Sequence, residues 1–140
     1  MKLEVIDRLR KEEVIETEMV LLAIGRRPNV KDMGVNEIGV KFTERGHIEV
    51  NDRLETTFKG VFAAGDVIGG AMLAHKAWYD ADIAVRAMAG EEVRTNYETV
   101  PGAIFTVPEM ASVGITPEQA RKNKKSIRIG KFEYRENAQA

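Results

Sequence analysis

The apolar residues between positions 60 and 90 predict a strand, a glycine turn and a helix in succession. This stretch reads GVFAAGDVIGGAMLAHKAWYDADIAVRAMAG. Val61–Ala64 is an apolar run of the length expected for a buried strand, and Gly65-Asp66 ends it. Apolar residues then recur at helical spacing up to Gly90, a residue type that favours the position just after a helix. The residues of this helical repeat are Leu73, Ala77, Ala81, Ala84, Val85 and Met88.

Further strands are predicted before this stretch. The alternation in Leu3-Glu4-Val5, within Met1–Thr17, predicts a hairpin or two edge strands. Met19–Ile24 reads MVLLAI and is followed by glycine and proline, which predicts a buried strand. His47–Val50 alternates after a turn and predicts a short strand, with His47 itself at the surface among charged neighbours.

The pattern changes after Gly90. Glu91–Thr99 is a charged connector and marks a predicted domain boundary. Ala103–Thr106 and Met110–Val113 are strand-like. Thr116-Pro117-Glu118-Gln119 combines the residue types of a capped helix start, so a helix is predicted from there through Lys124. Alternation in Ser126–Tyr134 predicts a last strand.

Composition excludes several classes of function. The chain has 140 residues and a net charge of −1, so it lacks the basic surface of a nucleic-acid-binding protein. No apolar run approaches the length of a membrane span, and Met1–Arg10 lacks the apolar core of a signal peptide, which favours a cytoplasmic protein. With no cysteine and two histidines, the chain is expected to hold neither a redox dithiol nor a metal site.

The predicted turn and helix start together suggest a binding chemistry. A carboxylate at a strand end, here Asp66, accepts hydrogen bonds from sugar-type hydroxyl groups. A helix start offers unpaired backbone N–H groups and a positive potential. Gly69-Gly70 adds a flexible point between the two. The combination suits a ligand in which a polyol adjoins an electron-accepting ring.

Gly65-Asp66-Val67-Ile68-Gly69-Gly70, followed by Met72-Leu73-Ala74-His75-Lys76-Ala77, resembles the second FAD motif of the flavin disulfide reductases. The run Leu-Ala-His-Lys-Ala is similar to the dihydrolipoamide dehydrogenase branch of that family. The resemblance implies that Asp66, after Gly65, binds the ribityl chain of FAD. It also implies that the backbone of Met72, Leu73 and Ala74 faces the flavin.

A second resemblance lies upstream, where Gly25-Arg26-Arg27-Pro28-Asn29 is similar to the segment that leaves the NAD domain of the same family. It implies a tight turn at Gly25 near the cofactor. Arg26 and Arg27 suggest a phosphate site, but pairing with acids or holding the domain junction is the favoured interpretation. No glycine-rich loop follows a strand here, so no pyrophosphate site is assigned.

The resemblance also sets a domain plan. Phe105–Glu109 and Ser112-Val113-Gly114 are similar to the opening of the family's dimer-interface domain, which implies a homodimer. The expected fold is α/β and α+β. Residues 1–29 end the NAD domain, and residues 30–95 are the returning part of an FAD domain of three-layer β/β/α type. Residues 96–140 begin the α+β dimerisation domain.

The resemblance implies a fragment of a reductase that passes electrons between a dithiol substrate, dihydrolipoamide, and NAD through FAD and a redox disulfide. The cysteines and the catalytic base are absent from this chain, so no catalytic residue is assigned and the chain alone is expected to be inactive. His75 is not that base; orienting the flavin pocket or a neighbouring subunit is one role open to it. Trp78 covers the flavin side, forms a subunit contact or simply packs.

Three alternatives stay open. The chain is a non-catalytic folding or assembly segment with weak or no FAD binding, or it derives from a glutathione or mercuric reductase relative. The third alternative is an independent α+β binding module. No nucleic-acid or membrane partner is expected under any of them.

Overall fold

A computed structural model describes residues 2–6 and 8–136. The chain begins with an antiparallel hairpin of β1 (Lys2–Ile6) and β2 (Glu12–Glu16), in which Lys2 pairs with Glu16 and Ile6 with Glu12. The hairpin prediction is therefore confirmed. Nearly every residue of the two strands is exposed, because the hairpin packs on no other element of the described chain.

The prediction of a buried strand at Met19–Ile24 is wrong for this chain. These residues form no strand, and Leu21 and Ile24 are 90% and 87% exposed. A strand needs a neighbouring backbone to satisfy its N–H and C=O groups, and none of the described residues supplies one here. The apolar pattern indicates that the segment prefers an extended, buried conformation, but it does not show whether a partner strand is present.

A meander held by single bridges occupies residues 42–62. Phe42 pairs with Ile48, Val50 with Thr56, and Glu55 with Phe62, all antiparallel. The predicted strands at 47–50 and 61–64 are wrong in extent, because each is reduced to isolated bridges. The closely spaced turns of this region leave too few consecutive residues for a ladder. Leu54, at the centre of the meander, is only 1% exposed.

The long helix α1 (Ala74–Met88) follows a short 3-10 helix, Gly65–Ile68. At its C-terminal end the Glu91 amide donates to the Arg86 carbonyl and the Gly90 amide donates to the Ala87 carbonyl. Gly90 has φ +87°, so this is the two-bond termination that a left-handed glycine permits. The predicted helix and its glycine end are confirmed.

The buried face of α1 differs from the predicted apolar face. Val85 and Met88 belong to the predicted face, yet both are more than half exposed. The residues that α1 buries are Lys76, Asp80, Ile83, Ala84 and Ala87. The prediction failed because two residues of opposite charge are buried together on the inner face, where an apolar pattern does not count them. Ile83 and Ala84 pack with Leu54 in the main core cluster.

The C-terminal part forms a small hairpin and a short helix. β3 (Gly102–Ile104) pairs with β4 (Met110–Ser112), so both predicted strands are present in shortened form. α2 (Pro117–Lys122) begins with the predicted cap, in which the Thr116 hydroxyl accepts from the Gln119 amide and the Gln119 side chain accepts from the Thr116 amide.

The strand predicted at Ser126–Tyr134 is wrong, since this segment is irregular up to a 3-10 helix at Tyr134–Glu136. As at residues 19–24, no strand of the described ranges 2–6 and 8–136 lies beside it. Helices and strands thus occur together, in agreement with the mixed α/β prediction, and the three-layer arrangement stays a prediction. Within the described residues, no helix has the length and apolarity that crossing a membrane requires.

Candidate cofactor site

A buried glycine shapes the turn before α1. Gly65 has φ +79°, a backbone conformation that side chains disfavour. A Cβ atom placed on Gly65 would lie 3.2 Å from the Cβ of Ala77 in α1. Glycine is therefore required here both for its conformation and for the close approach of the turn to the helix.

Asp66 follows this glycine and presents its carboxylate at the surface. The side chain is 44% exposed, and its Oδ2 lies 3.3 Å from Nη1 of Arg26. Both residues line a cavity of about 210 Å³ together with Pro28 and Met72. Arg26 thus pairs with an acid, as the favoured interpretation of the sequence has it, and Arg27 borders the same cavity.

The start of α1 offers backbone donors. Leu73 is the N-cap residue, in extended conformation, and its side chain makes no capping hydrogen bond. The Ala77 amide donates to the Leu73 carbonyl at 3.1 Å as the first bond of the helix. The amides of the first helical turn, before Ala77, therefore have no acceptor within the helix, and they lie at the positive end of the helix dipole.

The structure brings some of the predicted site residues together and separates others. Asp66 and Met72 share the small cavity, and Gly65 adjoins it in sequence. Leu73 instead lines a larger, mostly apolar cavity of about 490 Å³, which also includes Gly70 and Lys76. Ala74 begins α1, and Gly25, with φ +104°, directly precedes Arg26 but lines neither cavity.

Sequence reasoning missed a buried polar network behind the turn. Asp80 is completely buried, and its Oδ2 accepts from the Lys76 ammonium at 2.6 Å and from the Gly65 amide at 3.0 Å. Its Oδ1 accepts from the Tyr97 hydroxyl at 2.9 Å. Burial and this hydrogen bond to Asp80 raise the pKa of Tyr97, so the phenol stays protonated and donates. Lysine and aspartate four residues apart on a predicted helix were the available signal.

Three further side chains have clear positions. Nε2 of His75 lies 2.5 Å from the carbonyl oxygen of Pro101, which ties the first turn of α1 to the start of the C-terminal hairpin. Trp78 is 82% exposed. The expectation that His47 lies at the surface holds only in part, because the residue is half-buried: its ring packs against Gly69, and its Nε2 is buried without a hydrogen-bond partner among the described residues.

Comparison with protein families matches two consecutive parts of the chain. Residues 2–81 match the pyridine nucleotide-disulphide oxidoreductase model, and residues 100–140 match the dimerisation domain of the same proteins. Dihydrolipoyl dehydrogenase of Staphylococcus aureus is 40% identical over 130 residues, which are 93% of this chain and 28% of that protein. The human mitochondrial dihydrolipoyl dehydrogenase is 42% identical over 130 residues, 26% of its length.

Solved structures give the same result. LpdA from Mycobacterium tuberculosis matches with a TM-score of 0.73 and 29% identity, over 80% of this chain and 25% of that one. A Cu(II) complex of RclA from Escherichia coli, a HOCl-induced flavoprotein disulfide reductase, matches with a TM-score of 0.68 and 30% identity, over 86% and 28%. The chain spans little more than a quarter of the length of these relatives. It belongs to the pyridine nucleotide-disulphide oxidoreductase family.

Proposed function

We propose that this chain supplies one wall of the FAD site of a flavoprotein disulfide reductase of the dihydrolipoamide dehydrogenase type. The observation that carries the proposal is the placement of the Asp66 carboxylate and the open start of α1 within one short glycine-bounded segment. The names of the similar proteins, dihydrolipoyl dehydrogenases and a flavoprotein disulfide reductase, support it.

The residues present fit a flavin with a ribityl chain. Asp66 is half exposed, and the Arg26 contact engages only one of its two oxygens, so the carboxylate has acceptor capacity for hydroxyl groups. The Ala74 amide is the donor for the polar edge of the ring, since the Leu73 amide already donates to the Ala71 carbonyl at 3.1 Å. The cavity beside Asp66, about 210 Å³, is smaller than the roughly 300–1,000 Å³ of complete ligand pockets, which supports one wall rather than a whole site.

The chemistry of the whole protein belongs to the same proposal. When bound, FAD supplies the electron-accepting ring between a dithiol substrate and NAD. Because the sequence has no cysteine, the redox disulfide is not formed within this chain, and lipoamide reduction with NADH is expected to be absent. Asp66 and the helix start bind and orient the flavin, and no residue of this chain is assigned a catalytic role.

The domain plan and the partners are proposed on the same basis. Residues 1–29 end the NAD domain, residues 30–95 form the returning FAD segment, and residues 96–140 open the dimerisation domain of a homodimer. The match of residues 100–140 to a dimerisation domain supports the last assignment. Gly25 is proposed to shape the junction that brings Arg26 to Asp66.

Flavin titration of the purified chain tests the proposal. We expect weak, saturable binding of FAD, measured by quenching of flavin fluorescence, with riboflavin bound about equally well because the wall contacts ring and ribityl groups. Asp66→Asn removes the charge but keeps the shape, and a charge-assisted hydrogen bond contributes about 1.5–3 kcal/mol, so affinity is expected to fall at least tenfold. Asp82→Asn, on the exposed side of α1, is the matched control and is expected to bind as the wild type does.

The contrary results are equally defined. Equal flavin affinity of the wild type and Asp66→Asn would remove Asp66 from the site. Absence of any saturable flavin binding would favour the alternative of a folding or assembly segment. NADH-dependent lipoamide reduction by the chain alone would contradict the expected inactivity.

A further inference from the structure

The buried carboxylate of Asp80 connects three separate segments of the chain. It is 0% exposed, and a buried charge is strongly destabilising unless donors compensate for it. Among the described residues its donors are the Lys76 ammonium, the Gly65 amide and the Tyr97 hydroxyl. They lie on α1 itself, on the turn before α1, and on the connector to the C-terminal hairpin. The carboxylate is therefore the point at which these segments meet.

Lys76 compensates the charge of Asp80 rather than supporting the helix. A cation in the first turn of a helix faces the positive end of the dipole, and a lysine four residues before an acid is the less favourable orientation of such a pair. The Lys76 side chain is nevertheless 4% exposed, with Nζ 2.6 Å from Oδ2 of Asp80 and 5.1 Å from the centre of the Tyr97 ring. This burial is explained by the need to neutralise Asp80.

The Gly65 amide is the contact through which Asp80 reaches the proposed flavin site. It donates to Oδ2 of Asp80 at 3.0 Å and belongs to the residue covalently joined to Asp66. The close approach of Gly65 to Ala77 places the same turn against α1. One directional hydrogen bond and one packing contact thus fix the turn relative to the helix whose start faces the ligand.

We propose that Asp80 is a positioning residue of the cofactor site, which holds the Gly65–Asp66 turn in register with the start of α1. The proposal rests on the proposed flavin function, because it assigns Asp66 its role from there. It makes Asp80 necessary for the direction in which the Asp66 carboxylate points, although Asp80 lies out of reach of any ligand at the surface. Stability then depends on whether the charge of Asp80 is compensated by Lys76, whereas positioning depends on the hydrogen bond that Asp80 accepts from the Gly65 amide.

A charge-free replacement of the pair separates those two properties. Lys76→Met/Asp80→Leu removes both charges together; apolar replacement of a buried ion pair is itself often neutral or stabilising, while the Gly65 amide and the Tyr97 hydroxyl lose their acceptor. The leucine matches the branched shape of aspartate but cannot accept from the Gly65 amide. Asp82→Asn is the matched control on the exposed side of α1.

Amide hydrogen exchange and flavin titration, both on the ¹⁵N-labelled 140-residue chain, test the positioning role of Asp80. Amide hydrogen exchange compares Gly65 with Ala120, a buried residue of α2 whose amide donates to Thr116. We expect the double variant to retain the circular dichroism of the wild type and the protection of Ala120. We also expect Gly65 to exchange at least tenfold faster and flavin to bind about tenfold more weakly. Asp82→Asn is expected to change neither.

Each contrary outcome has a separate meaning. A Gly65 amide that is unprotected in the wild type overturns the positioning contact without any variant, so the test does not depend on the variants folding. Wild-type flavin affinity in the double variant, with Gly65 exchange accelerated, overturns the positioning role. If the wild type binds no flavin while Gly65 protection depends on Asp80 as expected, the proposed function fails for this chain and the structural contact stands.

Discussion

Replacing Gly65 with alanine gives a direct test of the geometry behind the cofactor turn. The new Cβ would sit on a backbone with φ +79°, which costs a side-chain-bearing residue about 1–2 kcal/mol. It would also lie 3.2 Å from the Cβ of Ala77, and overpacking of this kind costs about 1–3 kcal/mol. We therefore expect Gly65→Ala to lower the free energy of unfolding by roughly 2–5 kcal/mol.

Two matched variants separate the two contributions. Gly60 has nearly the same φ, +82°, but nothing lies within 4 Å of its added Cβ, so Gly60→Ala carries the conformational cost alone, about 1–2 kcal/mol. Ala77→Gly removes the opposing methyl group and leaves the Ala77 Cα at 4.0 Å, an ordinary contact. In the double variant Gly65→Ala/Ala77→Gly, removal of the close contact is expected to restore about 1–3 kcal/mol of the free energy of unfolding. The glycine inside the helix separately costs about 1 kcal/mol.

Urea denaturation followed by circular dichroism measures all four variants. The midpoint and slope give the free energy of unfolding, and an unchanged slope shows that the denatured state is comparable. The reasoning is refuted if Gly65→Ala is no more destabilising than Gly60→Ala. It is also refuted if the double variant shows no coupling between positions 65 and 77, because the close approach of turn and helix would then be absent in solution.

Three further predictions concern stability. Leu54→Ala, at a residue 1% exposed in the core, is expected to cost about 2–5 kcal/mol in urea denaturation, whereas Leu21→Ala, at a residue 90% exposed, stays within about 0.5 kcal/mol of the wild type; equal effects would contradict the assigned core. Thr116→Ala removes the cap of α2 and is expected to cost about 1 kcal/mol, with Thr116→Ser as the control that keeps the hydroxyl. The folded chain raises the pKa of Tyr97 above the ordinary value near 10, so the phenol is deprotonated at a lower pH in the unfolded chain than in the folded one. The contribution of Tyr97 to the free energy of unfolding is therefore complete below about pH 10 and decreases as the pH rises above it. Tyr97→Phe is expected to show a smaller loss of unfolding free energy between about pH 8 and pH 11, and an equal loss would exclude this group as the cause.

The helix ends were predictable because their signals are local. The cap at Thr116 and Gln119 needs only residues within one turn, and Gly90 ends α1 through bonds that reach back five residues at most. The hairpin at residues 2–16 is likewise a short-range structure. In each case the sequence contains both partners of the interaction, so the pattern is sufficient to specify it.

The predicted strands at 19–24 and 126–134 failed for the opposite reason. A strand is defined by hydrogen bonds to another backbone, and the apolar pattern of Met19–Ile24 carries no information about whether that backbone is present. Residues 61–64 do have a neighbouring backbone, but they form only a bridge to Glu55 because the closely spaced turns leave too few consecutive residues for a ladder. Apolar patterning identified which segments prefer an extended conformation, while pairing was decided by what lies beside them.

The sequence by itself determined the chemistry available to the candidate site: a carboxylate at position 66, glycines around it and a helix that starts without a side-chain cap. Only the tertiary structure decided how these groups are held, because Asp80 joins Gly65 and Tyr97 across separations of 15 and 17 residues. It also decided that Lys76 and Asp80 are buried, against the usual preference of charged side chains. Burial of a charge depends on donors that converge in space, and that convergence is set by the packing of distant segments rather than by any local pattern.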